Sequence, residues 1–153
     1  IQEKWNGQKN TLKAELKSKS KLAEQTLIIV KPDAVKRNLV EEILSRFEKK
    51  GFTISKQKML NFTTEMAKEF YSAHSSKPFF DELVSFITSE TVVAAIIERD
   101  NAVSLTREII GNTNPKEASA GTIRGDFGIS ITENSIHASD SRESFDKEVN
   151  VVF

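Results

Sequence analysis

The chain contains no cysteine, which excludes disulfides, thiolate metal sites and a cysteine nucleophile. It has only two histidines and three prolines among 153 residues. No apolar run approaches the ~20 residues that a bilayer-spanning helix requires, and there is neither an internal repeat nor a low-complexity tract. The formal net charge is zero, so charge alone points to no nucleic-acid or membrane partner. That balance hides an asymmetry: residues 1–25 hold six lysines against three glutamates, leaving the remainder slightly acidic. Residues 1–25 therefore read as a basic, polar extension with no continuous apolar stretch of the kind a signal peptide needs. A cytoplasmic location is the simplest expectation, with an organelle as the alternative if this extension is a transit remnant. At this length the rest fits one domain, large enough to bury a core without covalent or metal staples.

Apolar periodicity divides the chain from Thr26 onward. TLIIV (26–30) reads as a buried strand bounded by Pro32. Leu39, Ile43, Leu44 and Phe47 recur at helical spacing up to a stop at Gly51. FTISKQKML (52–60) predicts a second strand with imperfect alternation. Thr63 or Thr64 can cap a helix through Met66, Phe70 and Tyr71, and another follows Pro78 through Phe79, Leu83 and Ile87. TVVAAIIE (91–98) predicts the third strand. Asn101 can cap a helix through Val103, Arg107 and Ile110 that ends at Gly111. Residues 112–127 lack a sustained apolar period and are too long for an ordinary connector, as functional loops often are. ISIT (129–132) reads as a fourth strand leading to His137, and Asp140 with Glu143 offers a capping pair for the last helix. A helix over 11–25 pairing Leu12 with Leu16 is a further option. Strands alternating with helices are compatible with a parallel sheet, so periodicity leaves the topology open.

The chemistry concentrates in NSIHASDS (134–141), where His137 stands beside an amide, three hydroxyls and a carboxylate. Imidazole is largely neutral yet readily protonated near pH 7, so it can act as base, ligand or nucleophile. All three prolines sit in polar contexts: KPDA (31–34), KPFF (77–80) and TNPKEASAGTIRGDF (113–127). Taken singly, Lys31 is a solvated strand end, the PFF aromatics are core, and GTIRGD is a glycine-rich turn carrying an arginine.

Taken together and in this order, TLIIVKPDAV, RFEKKGF, FYSAHSSKPFF, GNTNP, GTIRGDF, NSIHASDS and the closing helix with Glu148 resemble the nucleoside diphosphate kinase family over 26–153. The resemblance implies an α+β fold with a ferredoxin-like βαββαβ core, a four-stranded antiparallel sheet and added helices. It implies transfer of a terminal phosphate from a nucleoside triphosphate to a nucleoside diphosphate. His137 matches the nucleophile that becomes phosphohistidine, Glu148 the carboxylate that orients it, and Ser139 its hydroxyl partner. Lys31, Arg107, Thr113 and Arg124 match phosphate contacts, with Lys31 also near the sugar hydroxyls. Tyr71 matches the phenol near the transferred phosphate, and Asn134 the amide that contacts the ribose. Phe79 matches the base-stacking ring, with Leu83 and Ile131 completing an apolar slot; stacking without base-edge reading accepts every base. Phe47, Phe80 and Phe127 go to the core.

Mg²⁺ is implied as the nucleotide's companion, retaining its waters, with no dedicated protein cage. Asp140 and Asp33 are candidates for indirect contact, although an N-cap and a turn suit them better. A homo-oligomer is implied, a hexamer or tetramer, with Pro115 in the loop that resembles the family's inter-subunit loop. Ala138, Asn38 and Glu41 stand where the family often has glycine, and Ala120 where it often has proline. None of these removes a group the chemistry needs. The rival readings are a catalytically weak nucleotide-binding regulatory or interaction module of the same fold, and nucleic-acid binding through the lysine-rich extension.

Overall fold

In the computed structural model, which describes residues 23–153, the run TLIIV forms the centre of a sheet covered on both sides. Strand β1 (Ala23–Val30) pairs antiparallel with β3 (Val92–Asp100) and with β4 (Ile136–Ala138). Strand β2 (Thr53–Leu60) flanks β3, also antiparallel, with a register irregularity between Ile54 and Lys56. The order is β2-β3-β1-β4. Side chains alternate across a strand; Ile28 and Val30 enter one core, Leu27 and Ile29 the other. A stretch buried on both faces has no polar positions to alternate with, which is why residues 27–30 of β1 and 92–97 of β3 are continuously apolar.

Helices α2 (Val40–Lys49) and α5 (Ala102–Ile110) cover the first face through Ile43, Leu44, Phe47 and Ile110. They follow β1 and β3 and complete the βαββαβ core. The short α1 (Pro32–Lys36) opens the β1–α2 connection. Helices α3 (Thr64–Phe70) and α4 (Phe80–Ile87) are inserted between β2 and β3. With α7 (Arg142–Val152) they cover the opposite face through Phe70, Val84, Ile87 and Phe145. The architecture is the antiparallel α+β, ferredoxin-like one, and the parallel alternative does not occur.

Several local expectations are revised. Residues 129–132 are not a strand: the amides of Ile129 and Ser130 both donate to the carbonyl of Glu133, forming a turn, and Ile129 and Ile131 are exposed. The fourth strand lies seven residues later and contains His137 itself. Ser141, not Asp140, caps α7 by accepting from the Ser144 amide at 3.0 Å; Asp140 instead accepts the Ser144 hydroxyl at 2.7 Å. Asn101 takes a left-handed conformation and makes no capping bond. The carboxylate of Glu24 accepts from the Val103 amide at 2.9 Å in its place, so β1 caps α5. Residues 23–25 are strand; the rest of the helix expected over 11–25, and of the basic extension, lies outside the described residues.

Residues standing at the family's glycine positions fit their backbone. Asn38 has φ 60°, a conformation asparagine tolerates better than most residues. Ala138 pairs with Ile28 within β4, away from positive φ.

The irregular 112–127 segment contains a 3₁₀ turn (Pro115–Glu117) and the five-residue α6 (Ile123–Phe127). Thr122 caps α6, accepting from the Gly125 amide at 3.0 Å. A Cβ on Gly125 would fall 2.1 Å from the Ser119 carbonyl oxygen, so this turn closes only around glycine. Gly125→Ala is expected to lower stability by about 1–3 kcal/mol, read as a lower Tm. An unchanged Tm would mean that the 119–122 backbone gives way without cost.

Candidate active site

Strand β4 and helix α7 meet at His137. Because side chains alternate, buried Ile136 enters the α2/α5 core and His137 faces the opposite side. There its ring stands edge-on to Phe70, with centroids 4.9 Å apart, and to Tyr71 at 6.3 Å. Glu148, on the inner side of α7, places Oε1 2.9 Å from His137 Nε2 and accepts the Ser139 hydroxyl on the same oxygen at 2.7 Å. With Nε2–H donating to the carboxylate, Nδ1 keeps its lone pair. Ser139 and Glu148 thus lie behind the imidazole.

In front of it lies a cavity of about 420 Å³ lined by the ten other residues expected in the site, from Lys31 to His137. Lys31 directly follows β1, at the N-cap of α1, and is 4% exposed. Its Nζ donates to Asn134 Oδ1 at 3.0 Å and to the Thr132 carbonyl at 3.4 Å. The Asn134 amide in turn donates to the Thr113 carbonyl at 3.1 Å, so Thr113 ties into this chain by its backbone. Burial pushes the Lys31 ammonium down to about 8; neighbouring Arg124 adds to the depression and Asp33 opposes it.

Arg124 projects from α6, anchored to the Gly111 carbonyl at 3.3 Å and the Ile136 carbonyl at 2.8 Å. Burial, then the nearby Arg107 cation, pulls its guanidinium down to about 10. Arg107, on α5, is on the cavity wall and exposed. The Arg124 Nε and the Tyr71 hydroxyl are buried without a partner. Burial, then the Glu148 carboxylate, holds the Tyr71 phenol protonated well beyond its ordinary range. Buried donors left unpaired are costly. Three cations converging with two such donors form a receptor for an anion rich in oxygens.

The mouth is apolar. Phe79 is 43% exposed and Ile131 59% exposed, with half-buried Leu83 between helix and loop. The exposure of Ile131, puzzling in a strand, suits a slot wall. His74, which the sequence reading did not single out, also lines the cavity. Its ring lies 5.8 Å from Phe79 and 6.5 Å from Tyr71. Its place in the same motif, three residues after Tyr71, was the available signal. Thr132 and Asp140 complete the rim. A Ser144 hydroxyl bond, then Arg107, keeps the Asp140 carboxyl below its usual range.

The family model for nucleoside diphosphate kinase matches residues 24–153. The nucleoside diphosphate kinases of Staphylococcus epidermidis and Staphylothermus marinus are each 52% identical over 130 residues, 85% of this chain and 87% and 92% of theirs. The fold superposes on the Aquifex aeolicus nucleoside diphosphate kinase with a TM-score of 0.84 at 48% identity, covering 86% of this chain and 95% of that one. A halophilic nucleoside diphosphate kinase from Halobacterium salinarum, in complex with CDP, gives 0.82 at 41% identity, covering 85% and 87%. Identity near one half along nearly the whole described region, on the same fold, leaves one conclusion: the chain belongs to the nucleoside diphosphate kinase family and is a phosphotransferase.

Proposed function

We propose that the chain passes the terminal phosphate of a nucleoside triphosphate to a nucleoside diphosphate by a ping-pong relay through a phosphohistidine on His137. The observation that carries this reading is the imidazole held by Glu148 through Nε2, at the wall of a cavity that also gathers Lys31, Arg107 and Arg124. In the first half-reaction the Nδ1 lone pair attacks the γ-phosphorus in line. The P–N bond forms as the bond to the β,γ-bridging oxygen breaks, and the diphosphate leaves with that electron pair. The second half-reaction runs the same step backwards onto another diphosphate. Positive charge appearing on the ring is met by the Glu148 carboxylate, and negative charge on the phosphoryl oxygens by the two arginines and Lys31. The Tyr71 phenol, kept protonated, is a donor to the transferred group.

Phe79 and Leu83 offer one face of a stacking slot and Ile131 the other; Lys31 and Asn134 lie where a ribose would reach. CDP bound to the Halobacterium salinarum relative supports a nucleotide in this cavity. No group of three or more metal-ligating side chains occurs among the described residues, and a single carboxylate, Asp140, lines the cavity. That donor set would suit a Mg²⁺ brought in with the nucleotide, for which Asp140 would be the protein's carboxylate. When bound, the ion neutralises phosphate charge and orients the phosphate chain. We also infer a homo-oligomer, with the loop around Pro115 as an assembly element.

Intact mass after mixing with ATP and Mg²⁺ tests the relay. One phosphate gained, then lost to GDP with formation of GTP, is the expected result; exchange without any phosphorylated intermediate would favour direct transfer.

A further inference from the structure

Lys31 is a buried cation without an ion-pair partner among the described residues, its Nζ held by two neutral oxygens. Two residues on, at the head of α1, Asp33 is 6% exposed, and its Oδ1 has no hydrogen-bond partner. Ser135 joins the two. Its carbonyl accepts the Lys31 amide at 2.9 Å, and its hydroxyl reaches Asp33 Oδ2 at 3.4 Å. Ser135 is wholly buried and held at φ 77°, a conformation serine does not favour and retains only when its surroundings impose it. The residue so held directly follows Asn134, whose side chain receives the Lys31 ammonium.

We propose that Asp33 is a positioning residue: through Ser135 it fixes the loop that brings Asn134 to Lys31, and it sets a carboxylate facing that buried ammonium. This rests on the reading of Lys31 as a nucleotide contact. The charged groups facing Asp33 are Lys31, Arg37 and Glu133; those facing Lys31 are Arg124 and Asp33. Asp33 is the one neighbour that favours the charged ammonium. Neutralising it leaves burial and Arg124 unopposed, so Lys31 loses its proton at a lower pH than in the parent.

The test is calorimetric titration with MgADP from about pH 6.5 to about pH 9.5, with Tm checked for each variant. Parent affinity is expected to fall as the pH rises through about 8, where Lys31 loses its proton. In Asp33→Asn the same fall comes earlier, leaving binding about fivefold weaker than the parent at pH 8 and within about twofold at pH 6.5. Asp33→Glu, which keeps the charge, recovers the parent's profile. Ser135→Ala keeps the charge but not the hydroxyl, and weakens binding by a similar factor at every pH. An Asp33→Asn curve that overlays the parent's, or that is lowered equally at every pH, overturns the proposal. Lys31→Gln separates the levels: if it binds MgADP as the parent does, the reading of Lys31 fails and Asp33 with it. If Lys31→Gln is weakened while Asp33→Asn is not, only the role of Asp33 fails.

Discussion

His137→Ala is expected to reduce phosphate exchange between ATP and GDP by at least about 10⁴-fold while leaving MgADP affinity within about threefold of the parent. The substitution removes the only imidazole that faces the cavity with a carboxylate behind it. His74 is near the mouth and has no bond to Glu148, so it cannot take over the in-line position. The phosphate-facing cations and the apolar slot are untouched, since Lys31 and Phe79 lie on other elements and Arg124 bonds the backbone carbonyl of Ile136, which the substitution keeps. Stability should change little, because Glu148 keeps the Ser139 hydroxyl at 2.7 Å and loses one hydrogen bond of about 1 kcal/mol. Exchange assays beside calorimetry read both halves. Residual exchange above about one hundredth of the parent's would mean that the phosphate does not travel through His137. A parallel collapse of MgADP binding would mean that the imidazole holds the nucleotide rather than attacking it.

What the sequence disclosed, and what it hid, follows from where each signal is encoded. Strands β1 and β3 were readable because residues 27–30 and 92–97 are buried on both faces and wholly apolar. The caps at Thr63 and the stop at Gly51 were readable because they are local. The fourth strand was misplaced because ISIT mimics alternation, whereas the true strand has only three residues. Its place is set by pairing to β1, 28 to 30 against 138 to 136, a contact invisible to local periodicity. The α5 cap was missed for the same reason: Glu24, 79 residues away, supplies it. Site residues were identified through the spacing of several motifs, not through any one side chain, and ten of them share one cavity. Hidden in the sequence was how they hold one another. Nothing in SIH marks Ser135 as left-handed, or KPDA as burying a carboxylate against it.

Arg124 is the second residue on which activity should depend heavily, because three roles meet in one side chain. It anchors the carbonyl of Ile136, the residue before the nucleophile, at 2.8 Å, and ties β4 to Gly111 at the end of α5. Its Nε is a buried donor with no partner in the protein. Burial, then the nearby Arg107 guanidinium, weakens its hold on a proton, and an entering phosphate relieves the repulsion between the two cations. Arg124→Met removes the donors while keeping an apolar stem, and is expected to lower kcat/KM by about 10²- to 10³-fold, the effect of losing a charge-stabilising donor of about 2.7–4 kcal/mol. Arg124→Lys should recover only a small part, because an ammonium has no planar fork with which to bond Ile136, Gly111 and a phosphate oxygen together. Steady-state kinetics decide between roles: a loss mainly in kcat places Arg124 on the charge that develops during transfer, and an equal rise in KM with kcat intact places it on ground-state binding. Near-parental kcat/KM in Arg124→Met would mean that Arg107 and Lys31 suffice, and would reduce Arg124 to a structural tie between β4 and α5.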